Sequence, residues 1–144
     1  MDGMEARVDR FLATFSSANE ASRPDLLGDC FADSFLSANS SGARPTTRDA
    51  FLAALPQRAT AFGDAGIGVP ELVERTWRRL DEHYLLVRTD WQAPRAFGGA
   101  PVALASSFLL HDDGRRLRIV LYLNHEGLPR PTGEVGHQVI SAGP

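Results

Sequence analysis

Three segments in the second half of the chain, HYLLVRTDWQA (83–93), VALASSFLLH (102–111) and RLRIVLYLNH (116–125), follow one another with period-two alternation and only short polar breaks between them. That pattern predicts three consecutive strands. The last two flank DDGR, in which Asp113-Gly114 suits a tight hairpin turn. The segment before them, PELVERTWRRL (70–80), carries opposing signals: Leu72, Val73, Thr76, Trp77 and Leu80 have helical spacing, and Glu71/Arg75 and Glu74/Arg78 are i,i+4 ion pairs. A meander needs an opening strand, however, and DEH (81–83) then becomes the turn between two antiparallel strands. Pairing in a sheet commonly overrides local propensity, so the expectation is strand.

One row of each strand must face the interior. In 83–93 the rows are Leu85, Val87, Thr89, Trp91 and Tyr84, Leu86, Arg88, Asp90; in the closing strand they are Leu117, Ile119, Leu121, Leu123, ending at His125, and Arg118, Val120, Tyr122, Asn124. Burying each large aliphatic stabilises by about 1.5–3 kcal/mol, so the aliphatic row is expected inside. Trp91 and His125 then point inward and Arg88 and Asp90 outward. Tyr84, Leu86, Val120 and Tyr122 would leave apolar area on the outer face, from which a homodimer through that face is expected.

The first half reads mainly as helix. Val8, Phe11, Leu12 and Phe15 form one apolar helical face. SRPDLLGDCF follows, with Pro24 suited to a first helical turn, Leu26, Leu27, Cys30 and Phe31 as its apolar side, and Gly28 weakening it. DSFLSAN reads as a brief strand before a polar loop, SSGARP. Thr46 or Thr47 caps a third helix, whose stripe of Phe51, Leu52, Leu55, Ala59 and Phe62 runs through a kink at Pro56. Helices followed by a run of strands make an α+β chain, with N-terminal helices packed on the concave face of a strongly curved antiparallel sheet. Residues 1–128 are expected to form a single domain and 129–144 a Pro/Gly-rich tail.

Composition excludes several function classes. With 43% hydrophobic and 23% charged residues, the 144-residue chain reads as a soluble globule. All 15 basic residues are Arg, scattered along a chain of net charge −3, so there is no nucleic-acid footprint. The lone Cys30 cannot form an internal disulfide and is expected in the core. No apolar run is long enough for a membrane span and MDGMEARVDR is not a secretory signal, so a cytoplasmic location is expected. Histidines at 83, 111, 125 and 137 lack zinc-site spacing, no Gly-rich phosphate loop precedes a helix, and Ser106 and Ser107 read as plain strand residues. Neither metal nor cofactor is expected.

The order of elements, YLLVRTDW on a central strand and the ending DDGRRLRIVLYLNHEGL resemble the nuclear transport factor 2-like superfamily, in particular its SnoaL-like branch, over residues 5–128. The resemblance implies a half-barrel cone with a pocket between helices and sheet, and often a homodimer through the outer sheet face. Its members include steroid isomerases, polyketide cyclases, dehydratases, epoxide hydrolases and proteins that only bind or associate. Phe15, Trp77, Trp91 and His125 are the expected pocket-lining residues. The catalytic residues are not fixed; the candidates are His125 as a general acid or base and Arg88 with Asp90, which share one side of a strand. The latter pair resembles part of the epoxide-hydrolase constellation, but Tyr122 and Asn124 stand where a second Asp is wanted. A steroid-isomerase site would need a pocket acid and a tyrosine, and Tyr84 and Tyr122 both fall on the outer row. The leading expectation is therefore a pocket that binds an apolar or aromatic small molecule; the alternatives are an enzyme using the residues above and a non-catalytic dimerisation module.

Overall fold

The computed structural model describes residues 3–20 and 24–125. Helices α1 (Gly3–Glu20) and α2 (Pro24–Gly28) are followed by strands β1 (Phe31–Asn39) and β2 (Gly42–Thr47), then by α3 (Arg48–Ala53) and α4 (Leu55–Asp64). Four strands complete the fold: β3 (Glu71–Arg79), β4 (Tyr84–Ala93), β5 (Val102–Asp112) and β6 (Leu117–Asn124). They form one open six-stranded sheet in the order β2-β1-β6-β5-β4-β3. The 129–144 tail expected from the sequence lies outside the described residues.

The α+β arrangement is as expected, but the sheet is mixed, because β1 pairs in parallel with β6. The reason is that SSGARP is not a loop: its last four residues belong to β2, which folds back on β1 through register pairs such as Ser37 with Arg44. This hairpin attaches to the free edge of the β3–β6 meander, and β2, at the sheet edge, accommodates Pro45. Residues 71–79 are strand, with Trp77 opposite Val87. The turn that joins them to β4 is held by Asp81, whose Oδ1 accepts from the backbone N–H groups of His83 and Tyr84 at 2.8 and 3.0 Å. In the β5–β6 turn Gly114 supplies the positive φ (96°) and Asp113 Oδ1 accepts from the N–H groups of Arg115 and Arg116.

Thr47 caps α3, its hydroxyl accepting from Ala50 N at 3.1 Å. Pro56 does not kink a continuous helix: it occupies the first turn of α4, where its missing N–H costs nothing, and the chain breaks at Ala54.

On α1, Val8, Phe11, Leu12, Phe15 and Ala18 are buried against the concave sheet face, which presents Leu85, Val87, Phe108, Leu110 and Ile119. Phe15 is the hub, with ring centroids 5.2 Å from Phe108, 6.2 Å from Tyr122 and 6.3 Å from Trp91. Two ionic clasps fix the helix on the sheet. Arg75 of β3 donates to Asp9 and Glu5. The buried carboxylate of Asp112 accepts from Arg7 of α1, Arg79 of β3 and the N–H of Gly114. Cys30 is buried beside this core, and desolvation pushes its thiol up to about 12, leaving it protonated and inert at neutral pH.

The inward row of β4 is Leu85, Val87, Thr89 and Trp91, all buried. On β6 the expected parity holds only for Leu117 and Ile119. Leu110 pairs with Ile119 but Leu109 pairs with Leu121, so β6 carries one extra residue at Val120. A bulge of this kind moves every later side chain to the opposite face. Tyr122, expected outside, is therefore buried opposite Phe108, and His125, expected inside, is carried to the outer side with Leu121 and Leu123.

Candidate functional site

A cavity of about 580 Å³ lies between α4 and the concave face. Its helical wall follows from sequence spacing: Leu55, Arg58, Ala59 and Phe62 recur at i, i+3, i+4 and i+7 on α4 and all line it. Phe15 and Ala18 of α1 form a second wall, the segment 67–70 a third, and Trp91, Leu104, Ser106 and Tyr122 the sheet floor. Although α3 and α4 carry an apolar stripe, no residue of either helix is buried. Phe51 packs on Phe31 and Phe35, whereas Leu52, Leu55 and Phe62 are half-buried between the core and the cavity.

The polar side chains in and beneath the floor are each tied to a protein partner. Thr89, fully buried, accepts from Trp91 Nε1 at 2.8 Å and donates to the carbonyl of Ser106 at 3.0 Å, which locks the indole into the floor. The Ser106 hydroxyl is 3.1 Å from Asn124 Oδ1. Arg58 Nη2 donates to the phenol oxygen of Tyr122 at 3.1 Å, and the guanidinium carbon lies 5.6 Å from the centre of that ring. Among the described residues, the cavity wall contains no carboxylate and no imidazole.

Of the residues anticipated for the pocket, Phe15 and Trp91 are in its wall. Trp77 faces inward opposite Val87 but packs on the core and does not line the cavity. His125 is likewise absent from the wall, a consequence of the Val120 bulge. Its Nε2 lies 2.9 Å from the hydroxyl of Ser107, which stands opposite Arg88 in the sheet. Desolvation, and then the charge of Arg88, hold the imidazole below its ordinary pKa, with Asp90 opposing. Arg88 itself donates to both oxygens of Asp90, at 2.9 and 3.4 Å. Their side chains are 52% and 40% exposed, which makes them a solvated surface pair. The structure thus brings the three catalytic candidates together, but on the convex face, away from the cavity.

Sequence reasoning missed Arg58 and Tyr122. The available signal for Arg58 was a charged residue set inside the Leu55-Ala59-Phe62 stripe. Tyr122 was hidden because Ile119-Val120-Leu121 is continuously apolar and does not reveal where the extra residue falls. Among the described residues no group of three or more His, Cys, Asp or Glu side chains comes together to hold a metal, and no helix is long and apolar enough to cross a membrane.

No family model matches the chain, and no curated protein matches it in sequence. Solved structures do match. An NTF2-like protein of unknown function from Shewanella oneidensis superposes with a TM-score of 0.65 at 13% identity, over 84% of this chain and 98% of that one. A second from Pseudomonas putida gives 0.67 at 10% identity over 88% of each. An NTF2-like protein with a cystatin-like fold from Novosphingobium aromaticivorans gives 0.66 at 14% identity, over 84% of this chain and 80% of that one. Helices on one face of an open, curved sheet, a cavity beneath them and these superpositions agree: the chain has the cystatin-like α+β fold of nuclear transport factor 2-like proteins.

Proposed function

We propose that the protein binds an apolar or aromatic small molecule in the cavity under α4, in the manner of the SnoaL-like branch that its sequence resembles. One observation carries this reading: about 580 Å³ of space remains between the half-buried apolar face of α4 and the sheet floor. That volume falls within the ~300–1,000 Å³ usual for small-molecule sites. A pure association module would have its own side chains in that space. Saturable uptake of a neutral naphthalene probe at one site per chain is the test.

Binding is favoured over catalysis because abstracting a proton needs a base at the substrate, and the described wall supplies neither a carboxylate nor an imidazole for that role. A homodimer through the convex face is part of the same proposal. Leu86 is 41% exposed there, and Leu109, Leu121 and Leu123 are half-buried beside it, an apolar strip that a second copy would cover. A cytoplasmic location is part of the same proposal.

A further inference from the structure

We infer that the ligand is an apolar monocarboxylate whose head group is received by Arg58 and Tyr122. This rests on the cavity being a ligand site and specifies the chemistry of its occupant.

The other arginines that reach between helices and sheet are each neutralised: Arg7 and Arg79 by Asp112, Arg75 by Asp9 and Glu5, Arg48 by Asp33. Arg58 differs, because among the described residues its partners are the hydroxyl and ring of Tyr122 and no carboxylate. Among the described residues it is the one charged side chain in the cavity wall. A guanidinium has five donors in a planar fork that matches a carboxylate, and one of them is spent on the phenol. The phenol oxygen accepts that bond, so its own proton is left to donate. Fork and phenol together present two kinds of donor at one point of a wall otherwise built mainly from apolar side chains such as Phe15, Leu55, Phe62, Trp91 and Leu104. A ligand matching that distribution has an apolar or aromatic body and a single anionic end. A neutral ligand of the same shape would leave the guanidinium facing apolar atoms without a counter-charge, which costs free energy. Tyr122 is only 4% exposed and packed against Phe31, Phe51 and Phe108, so its hydroxyl is held in place before the ligand arrives.

The test uses two probes of equal shape, 2-naphthoate and its neutral amide 2-naphthamide, titrated by calorimetry against the full chain and its Arg58→Gln variant. The expected result is about a ten- to hundred-fold preference for the carboxylate in the wild type, the range for a hydrogen bond to a charged group. In Arg58→Gln the preference collapses, because the carboxylate loses its charged partner. Arg58 is half-exposed on α4, so the substitution keeps the fold and costs no more than the one hydrogen bond to Tyr122, which a cooperative melting transition only slightly below that of the wild type checks. Equal affinity for both probes in the wild type, or a carboxylate preference that survives Arg58→Gln, overturns the inference and leaves the cavity as a neutral-ligand site. Failure of both probes to bind overturns the binding function itself, and the inference with it.

Discussion

Arg58 of α4 and Tyr122 of β6 meet across the cavity through a 3.1 Å hydrogen bond, and they are the only direct polar link recorded between that helix and the sheet floor among the described residues. The bond exists because the bulge at Val120 turns Tyr122 inward. Tyr122→Phe keeps the ring in its aromatic cluster and removes only the hydroxyl. Denaturant unfolding is expected to show a loss of about 0.5–1.5 kcal/mol, the usual net contribution of one hydrogen bond. A loss several times larger would mean that the ring itself had been displaced.

Asp112 is expected to control acid stability. Its carboxylate is 5% exposed and held far below the ordinary range, chiefly by Arg7, with the Gly114 N–H and Arg79 adding to it and burial opposing. A group whose folded pKa is depressed contributes stability that is fully present above its unfolded pKa, about 3.9, and is lost as pH falls towards the folded value. The denaturant midpoint should therefore lose nothing through Asp112 between pH 7 and 5 and fall below about pH 4. Asp112→Asn should cost about 1.5–3 kcal/mol at pH 7 and make the acid dependence shallower. Arg7 and Arg79 keep contact with solvent, which holds the cost below that for a fully buried pair.

His125 provides a direct check on the parity of β6. An NMR titration should place its midpoint below the ordinary histidine value of about 6.5. The unfolded chain then binds the proton more readily, so this group's contribution to stability is lost as pH falls through the window below about 6.5. Asp90→Asn should lower the midpoint further and Arg88→Gln should raise it, because those charges share its convex face. A midpoint indifferent to both substitutions would place His125 elsewhere.

The difference between β4 and β6 explains how much was legible. On β4 the apolar and mixed rows differ in composition, and period two carries the difference unbroken from Leu85 to Trp91. The inward face could therefore be read directly. On β6 the run Ile119-Val120-Leu121 is apolar on both faces, so an inserted residue leaves no mark, and Tyr122 and His125 were exchanged. Residues 71–79 have helical spacing, and only the need of the meander for an opening strand identified them as β3. β2 stayed hidden because Gly42, Ala43 and Pro45 have no strand signature, and an edge strand held by pairing with β1 needs none. Arg58 was overlooked for a related reason: the stripe was read by its apolar members, and the cavity that gives the exception meaning exists only in three dimensions.

The dimer proposal is separable from the ligand site. Light scattering at micromolar concentration should return twice the chain mass, and Leu86→Arg, which sets a charge in the apolar convex strip, should return the monomer. A wild-type monomer mass would remove the dimer and leave the cavity untouched.

The most direct test of the account is a titration with N-phenyl-1-naphthylamine, a neutral probe whose emission rises in apolar surroundings, against the wild type and Ala59→Trp. Ala59 lies on the cavity face of α4 at an exposed position, so a tryptophan there occupies the entrance without disturbing the core. The account predicts saturable binding to the wild type near micromolar affinity, about −8 kcal/mol, with one site per chain. It predicts at least about ten-fold weaker binding, about 1.4 kcal/mol, in Ala59→Trp at unchanged melting temperature. Absence of saturable binding to the wild type, or equal binding by both proteins, would contradict it.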